Sequence, residues 1–201
     1  MRKTVVIASN NAHKAREIAE ALDFPGWEFC TLRELGIASD PEEDADTFEG
    51  NARIKARAAR EASGGRAVLA DDSGLVVDAL DGAPGVRSAR YAGEDATDAA
   101  NNAKLLDELA DVPDAQRTAR FVCTLVFIDE DGSEEVARGV VEGRIGHAER
   151  GEHGFGYDPL FLPDVFGGER TLAEALPQEK NAVSHRGNAL RALRARIEEG
   201  A

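Results

Sequence analysis

The chain has 201 residues, of which 42% are hydrophobic and 31% charged, and its formal net charge is -14. This length suffices for one domain or two small lobes with a buried core, and the interleaving of charged and apolar segments excludes global disorder. Because 38 acidic residues outnumber 24 basic ones, a broad positive surface for DNA or RNA is excluded, and a polyanionic ligand would require a local cluster of cations.

The N-terminal apolar run, Val5–Ala8, is too short for a signal peptide or a membrane span, so we expect a cytoplasmic protein without a membrane partner. The run predicts a first strand, and the polar turn 9–11 leads from it into a helix predicted over 12–22. A second strand is predicted over 28–31. This order is typical of the start of an α/β fold.

An acidic loop, 39–46, precedes the next predicted helix, for which Asp46 or Thr47 provides the N-cap and which ends at Ala62. The remaining predicted elements are strands over 67–70 and 75–79, a helix over 97–110, strands over 120–128 and 134–145, and a helix over 185–199. A turn joins the last two strands into a hairpin, so the sequence predicts one α/β domain with a mixed sheet over the whole chain.

The two cysteines, Cys30 and Cys123, are far apart and form no CxxC pair, which argues against a disulfide framework or a zinc site. Cys123 lies in an apolar run and is predicted to be an ordinary buried thiol. Standard phosphate and calcium motifs are absent from the sequence as well. No lysine follows a glycine as in a Walker A loop, and the acidic loop lacks the glycine of an EF-hand.

Two polar segments that follow predicted strands are candidate ligand sites. In Ser9–Lys14, free backbone N–H groups at a helix start favour an anion, and Lys14 adds a positive charge. Alternatively, Asn11 simply caps the helix and the lysine is solvated. The carboxylates of Asp71 and Asp72 follow an apolar strand, where one of them can bind a divalent cation or accept a proton from water. The alternative is a turn that these carboxylates cap.

The acidic loop contributes two further carboxylates, Glu42 and Glu43, which can complete a metal site with Asp72. A run of charges is more often a solvated face of the molecule, and that interpretation stays open for this loop. Lys55, on the helix that follows the loop, is open to the same two interpretations.

The C-terminal third contains two more candidate segments. The glycine loop 154–159 places Phe155 between two glycines, which allows stacking on a base, or else forms a tight turn packed on the core. Farther along, Ser184 can cap the last helix, with His185 and Arg186 in its first turn. Cations are electrostatically disfavoured at a helix N-terminus, and such a conflict is tolerated for a ligand contact or at an exposed surface.

Taken in chain order, these segments resemble the family of inosine triphosphate pyrophosphatases, which act on non-canonical purine nucleoside triphosphates. The matching stretches are SNNAHK, TFEGNARIKA, ADDSGLVVDALDGAPGVRSARYAG, GFGYDPLF and SHRGNAL. They extend from residue 9 to residue 190, so the resemblance covers nearly the whole chain. It implies an elongated mixed β-sheet flanked by helices, two lobes around a central substrate cleft, and a homodimer.

The resemblance also implies roles for individual residues. Asp72 is similar to the proton acceptor that activates water, and Glu42 and Asp72 are similar to the pair that binds Mg2+, with Glu43 as a nearby alternative. The residues similar to the family's triphosphate and substrate contacts are Ser9, Asn10, Asn11, Ala12, His13, Lys14, Lys55 and Ser73. Those similar to its purine-side contacts are Phe155, Gly156, Tyr157, Asp158, Lys180, His185 and Arg186. Three of the chain's five lysines thereby fall on site positions.

The implied reaction is hydrolysis of ITP, XTP and dITP to the monophosphate and pyrophosphate, which cleanses the nucleotide pool of deaminated purines. In such a reaction a metal ion and lysines neutralise the charge that develops on the leaving pyrophosphate while water attacks the α-phosphorus. The alternatives are a pyrophosphatase for another modified nucleotide and a non-catalytic nucleotide-binding module. The acidic pair and Lys55 argue against the second alternative, because binding alone requires no general base.

Overall fold

The computed structural model describes residues 2–22 and 24–200, in which helices flank a six-stranded sheet. The strands are β1 (Lys3–Ala8), β2 (Trp27–Thr31), β3 (Ala67–Val77), β4 (Thr118–Ile128), β5 (Glu134–Ile145) and β6 (Phe161–Pro163). The helices are α1 (Ala12–Ala21), α2 (Phe48–Ala62), α3 (Asp98–Glu108), α4 (Pro177–Val183) and α5 (His185–Gly200). Within this described part of the chain, no helix has the length and apolar character needed to cross a membrane.

The sheet is mixed, with the strand order β2-β1-β3-β4-β5-β6. Strand β1 pairs in parallel with β2 and with β3, whereas β5 and β6 are antiparallel. The α/β class with a mixed sheet is therefore confirmed. The register pairs Ala8, the last residue of β1, with Ala70 of β3. The segment that leads from β1 into α1 therefore begins beside Asp71, the next residue of β3.

One prediction about the strands is wrong. The two strands predicted over 67–70 and 75–79 are a single strand, β3, which runs through the polar residues 71–74 without a turn. Asp71 and Asp72 can stay in the sheet because nearby cations neutralise their carboxylates. The backbone hydrogen bonds between strands therefore continue through this segment. Strand β6 and helix α4 were not predicted, because three apolar residues and a seven-residue helix carry too little periodicity.

The chain forms two compact units. The first unit comprises Met1–Asp72, Cys123–Gly139 and Arg186–Ala201, and the second comprises Ser73–Val122 and Val140–His185. Each unit has its own apolar core. In the second unit the core includes Leu75 of β3, Leu105 of α3 and Phe161 of β6.

The first unit buries two apolar clusters, one on each face of its strands. Alternate residues such as Val5, Ile7 and Leu69 pack against α1 and α5. The residues between them, such as Val6 and Val68, pack against α2. This arrangement follows from the period of two in a strand, which sends successive side chains to opposite faces of the sheet.

Candidate active site

Two adjacent acidic residues, Asp71 and Asp72, lie in the middle of β3 and are 1% and 6% exposed. Asp71 continues the alternation of Leu69, so its side chain lies on the face that carries α1 and α5. Asp72 continues the alternation of Ala70 and lies on the face that carries α2. The strand thus separates the two carboxylates, and each face supplies its own cations.

The carboxylate of Asp71 is surrounded by positive charge. Lys14 Nζ lies 3.3 Å from Oδ1, and Arg186 Nη2 and Nε lie 3.1 and 3.2 Å from Oδ2. Burial alone would raise the pKa of this carboxyl, but the two cations hold its pKa well below the usual range. Cys123 is a fully buried free thiol, as predicted, and its Sγ lies 3.7 Å from Asp71 Oδ2.

Arg186 belongs to the first unit, and its guanidinium is engaged by carboxylates. Besides binding Asp71, its Nη1 donates to Glu17 of α1. The electrostatic conflict of a cation in the first turn of α5 is resolved by these two acidic partners. The prediction that Arg186 contacts a purine stays a prediction, and its position gives it a role in orienting Asp71.

Lys55 of α2 connects the other carboxylate to the acidic loop. Its Nζ donates to Asp72 Oδ1 at 2.9 Å and lies 2.9 Å from Glu43 Oε2. Burial by itself would lower the pKa of this ammonium, but Asp72, Asp71 and Glu43 outweigh burial and raise the pKa. Burial raises the pKa of the Asp72 carboxyl despite the nearby lysines.

The arrangement leaves two buried carboxylate oxygens without a hydrogen-bond partner among the described residues, of which Asp71 Oδ1 still lies 3.3 Å from Lys14 Nζ. Among the described residues, Asp72 Oδ2 has no hydrogen-bond partner although it is inaccessible to solvent. Glu42 is exposed and forms no ion pair with a described residue, whereas Glu43 is engaged by Lys55. No group of three or more His, Cys, Asp or Glu side chains within 2–22 and 24–200 is arranged to hold a metal ion by itself. An ion here would also need oxygens from a ligand or from water.

Helix α1 starts with the capping that the sequence suggested. Asn11 Oδ1 accepts hydrogen bonds from the backbone N–H groups of His13 and Lys14 at 2.9 and 3.1 Å, and Ser9 Oγ accepts one from Asn11 N at 3.2 Å. The cap is therefore present, but the side chain of Lys14 is only 17% exposed and faces Asp71 rather than solvent. The exposed residues of this segment are Asn10, Asn11, Ala12 and His13.

The glycine loop of the second unit is organised around one buried carboxylate. Asp158 Oδ2 accepts a hydrogen bond from Phe155 N at 2.9 Å and another from Lys180 Nζ at 2.8 Å. The same ammonium lies 4.6 Å from the centre of the Phe155 ring. Gly154 has φ +79°, and a Cβ there would lie 2.2 Å from Asp158 Oδ2, so only glycine fits.

The other predicted residues of this unit are buried or half-buried. Tyr157 is buried and its hydroxyl donates to Ser88 O at 2.8 Å, so its side chain belongs to the core. The His185 ring stacks on Phe121, with centroids 4.7 Å apart and planes at 13°. Ser73 follows Asp72 on β3 and is half-buried.

The structure thus brings the predicted residues together in two groups, one within each unit, and a model of the Ham1 family matches residues 5–196. The chain belongs to the Ham1 family. A similar relative is the dITP/XTP pyrophosphatase of Exiguobacterium sibiricum, 50% identical over 96% of each chain.

Two solved structures of the Ham1 type are also similar to this chain. The HAM1 protein from Coxiella burnetii has a TM-score of 0.87 and 43% identity, over 98% of this chain and 99% of that one. The nucleoside-triphosphatase or dITP/XTP pyrophosphatase from Mycobacterium abscessus has a TM-score of 0.76 and 45% identity, over 94% and 98%. The resemblance stated from the sequence and the α/β fold of this Ham1 protein are therefore confirmed.

Two residues that hold the glycine loop were not singled out from the sequence. Asp98 Oδ2 accepts a hydrogen bond from Gly156 N at 2.7 Å, and Asn102 Nδ2 donates to Gly156 O at 3.2 Å. The two side chains lie one turn apart on α3, so they engage both backbone polar groups of a single glycine. They fix the residue that follows Phe155.

A signal for Asn102 does exist in the sequence of this Ham1 protein. It stands three residues before Leu105 and seven before Leu109, and therefore on the apolar face of α3. A polar amide at an apolar-face position must find a hydrogen-bond partner when it is buried. Asp98 carried no such signal, because an acidic residue in a first helical turn is ordinary.

The Asp71 cluster predicts the effect of replacing Arg186. We expect Arg186→Ala to lower the free energy of unfolding by about 3 kcal/mol, because it leaves Asp71 buried with Lys14 alone. Urea denaturation followed by circular dichroism measures the change. The matched control is Arg16→Ala on the exposed side of α1, which should leave stability nearly unchanged. Equal stability of the two variants would contradict the structural role of Arg186.

The hydrogen bonds that Asp98 and Asn102 form with Gly156 predict the effect of replacing Asp98. We expect Asp98→Ala to speed hydrogen exchange of the Gly156 amide by about tenfold, because a charge-assisted hydrogen bond is lost. The KM for inosine triphosphate should rise while kcat changes little. Asp98→Asn keeps an acceptor oxygen and should restore most of the protection.

Exchange resolved by mass spectrometry over residues 153–158 measures this effect, and Asp95→Ala, at an exposed position before α3, is the control. If the exchange rate over residues 153–158 is the same in Asp98→Ala and Asp95→Ala, then the Asp98 carboxylate does not hold the glycine loop.

Proposed function

We propose that this Ham1 family protein hydrolyses ITP, dITP and XTP to the monophosphate and pyrophosphate, and so removes deaminated purines from the nucleotide pool. The observation that carries the proposal is the buried carboxylate of Asp72. Lys55 binds one of its oxygens at 2.9 Å, and the other has no hydrogen-bond partner among the described residues. Relatives named dITP/XTP pyrophosphatase, at 50% identity over nearly the whole chain, support the substrate class.

In this proposal the residues of the first unit perform the chemistry. Asp72 accepts a proton from a water molecule, whose oxygen attacks the α-phosphorus. The bond between the α-phosphorus and the bridging oxygen breaks, and that oxygen leaves with pyrophosphate. A raised pKa makes the Asp72 carboxylate a stronger base, and Lys55 orients it. Lys55 and Lys14 each have N–H groups beyond those that bind carboxylates, and they attract the phosphates.

The carboxylates of this unit fit a hard divalent cation, for which we propose Mg2+. Glu42 and Asp72 would hold it, because Asp72 Oδ2 has no hydrogen-bond partner within the described chain and Glu42 is not neutralised by a lysine. Glu43 is the weaker candidate, since Lys55 engages it. A bound Mg2+ would neutralise phosphate charge and so favour departure of pyrophosphate.

In the second unit, we propose that the glycine loop and Lys180 bind the base. Phe155 provides a ring for stacking on any purine. Hypoxanthine and xanthine carry an acceptor oxygen at the 6-position, where adenine carries an amino donor. Lys180 offers only donors, so it pairs with the oxygen and opposes the amino group, a mismatch that costs about 1–3 kcal/mol. His185 and Arg186 were predicted on the same side of the substrate, and Arg186 is the less available because it binds Asp71 and Glu17.

We further propose a cytoplasmic homodimer that requires no nucleic acid or membrane partner. The absence of a broad positive surface, in a chain with a net charge of -14, supports a small-molecule substrate. Sedimentation velocity of the purified chain measures the oligomeric state directly.

The proposal predicts the products and the order of substrates. With Mg2+ present, kcat/KM for ITP and XTP should exceed that for ATP by at least about tenfold, with GTP also disfavoured. A panel of nucleoside triphosphates, with pyrophosphate and orthophosphate assayed separately, provides the measurement. Orthophosphate as the product would overturn the proposal, and turnover of another modified nucleotide alone would favour the alternative pyrophosphatase.

In the same assay Asp72→Asn should lower kcat by at least about 100-fold while nucleotide binding survives, because an amide retains the contact with Lys55 but accepts no proton. Asp107→Asn, at an exposed position of α3, is the matched control. Nucleotide binding without turnover by the unmodified chain would favour the binding module.

Removal of divalent cations should abolish turnover, and Mg2+ should restore it. Glu42→Gln should raise the Mg2+ concentration for half-maximal activity by about tenfold, since it removes a proposed ligand. Asp44→Asn changes another exposed carboxylate of the same loop and should leave the requirement unchanged. An equal requirement in both variants would show that the loop is only a solvated face.

A further inference from the structure

A cavity with the character of a ligand site lies entirely within the second unit. Its volume is about 480 Å³, which falls in the range of small-molecule sites. The end of β5 with residues 146–150 forms one wall, and the loop 168–171 forms another. None of the residues that line this cavity belongs to the predicted substrate or metal site.

The cavity concentrates cations in a chain that is strongly acidic. Three arginines and one histidine line it, against two carboxylates, whereas the whole chain has a net charge of -14. The carboxylates are Asp114, which is hydrogen-bonded to His147 Nε2 at 2.5 Å, and Glu169. Such a local excess of cations creates the attraction that a polyanion needs when the overall field repels it.

Arg117 is the buried cation of this cavity. It is 1% exposed, and its Nε, Nη1 and Nη2 donate to the carbonyl oxygens of Ile145, Leu109 and Gly146 at 2.9, 2.6 and 2.7 Å. Among the described residues, no carboxylate lies within ion-pair distance of it. These hydrogen bonds satisfy three of its five N–H groups but do not neutralise its charge.

The two exposed arginines also bind carbonyl oxygens of the opposite wall. Arg144 Nη2 donates to Gly168 O at 3.0 Å, and Arg150 Nη2 donates to Glu169 O at 2.6 Å. Arg150 has a carboxylate partner in Glu174 at 3.2 Å, whereas Arg144 has none within the described part of the chain. Each guanidinium is thus held in position while it retains N–H groups that bind no carboxylate.

We propose that this cavity binds a phosphate group, carried either by an inorganic anion or by a small phosphorylated molecule. Planar guanidinium groups match the geometry of phosphate oxygens and bind them in a bidentate manner. The apolar residues Ile145 and Leu162 also border the cavity, but both are buried, at 1% and 9% exposed. The proposal does not depend on the reaction proposed above.

A charge placed on the cavity wall tests the proposal without removing any of these contacts. Ala148 is exposed and lines the cavity, so Ala148→Glu adds a carboxylate, and Ala148→Gln adds a neutral side chain of nearly the same shape. We expect the unmodified chain to bind inorganic pyrophosphate at two sites in isothermal titration calorimetry without added metal. Ala148→Glu should weaken one of these sites at least fivefold, and Ala148→Gln should not.

A second variant removes cations instead of adding an anion. Arg144→Gln combined with Arg150→Gln should abolish the same site, and Arg87→Gln, at an exposed position of the same unit, should retain it. Pyrophosphate binding at the cavity should persist in Lys55→Gln, because Lys55 does not line the cavity. Any binding that this variant loses would belong to the proposed active site. Circular dichroism and thermal melting establish that each variant is folded.

The outcomes separate the possibilities. Unchanged binding in both Ala148→Glu and the double arginine variant would overturn the proposal, and so would equal weakening by Ala148→Glu and Ala148→Gln, since size rather than charge would then matter. Repeating the titration with orthophosphate and with a purine nucleoside monophosphate identifies the source of the phosphate group. Tighter binding of the monophosphate would point to an organic ligand, and tighter binding of orthophosphate to a free anion.

Discussion

The period of two in strand β3 is the constraint on which the candidate chemistry depends. It sends Asp71 and Asp72, adjacent in sequence, to opposite faces of one sheet. Had both carboxylates shared a face, their mutual repulsion in a buried site would have required one of them to be protonated. Separation by the strand lets each carboxylate find its own cation, and it leaves Asp72 with a buried oxygen that no described group binds.

The few lysines of the chain follow a common pattern. Three of the five form an ion pair with a buried aspartate: Lys14 with Asp71, Lys55 with Asp72, and Lys180 with Asp158. Removing charges from water is costly, so buried pairs of this kind contribute little to stability by themselves. They do hold three ammonium groups at defined positions of a chain whose net charge is -14.

Backbone groups in the loops of the second unit are held by side chains rather than by regular secondary structure. The glycine loop has left-handed residues that cannot extend a strand or a helix, so its N–H and C=O groups need other partners. Asp98, Asn102 and Asp158 supply them. The three arginines of the cavity at the end of β5 do the same for carbonyl oxygens around it. Loops held by such hydrogen bonds suit a binding surface, because ordering a loop on binding would cost affinity.

The sequence by itself determined the elements and the chemistry of the residues. Apolar periodicity identified β1, β2, β4, β5 and four of the helices, because burial of an apolar face dominates their formation. The motifs identified the family and the residue types of the site.

Only the tertiary structure decided which of these residues meet. Arg186 contacts Asp71 across 115 residues of sequence, and Asp98 contacts Gly156 across 58. The same holds for the continuity of β3, where polar residues stay in the strand because cations from α1, α2 and α5 neutralise them. Lys55 forms an ion pair with Glu43, whereas Glu42 is exposed. The sequence does not distinguish these two glutamates, because their side chains are chemically identical. Local patterns encode propensity and burial, whereas ion pairs and hydrogen bonds depend on distances that the packing of the whole chain sets.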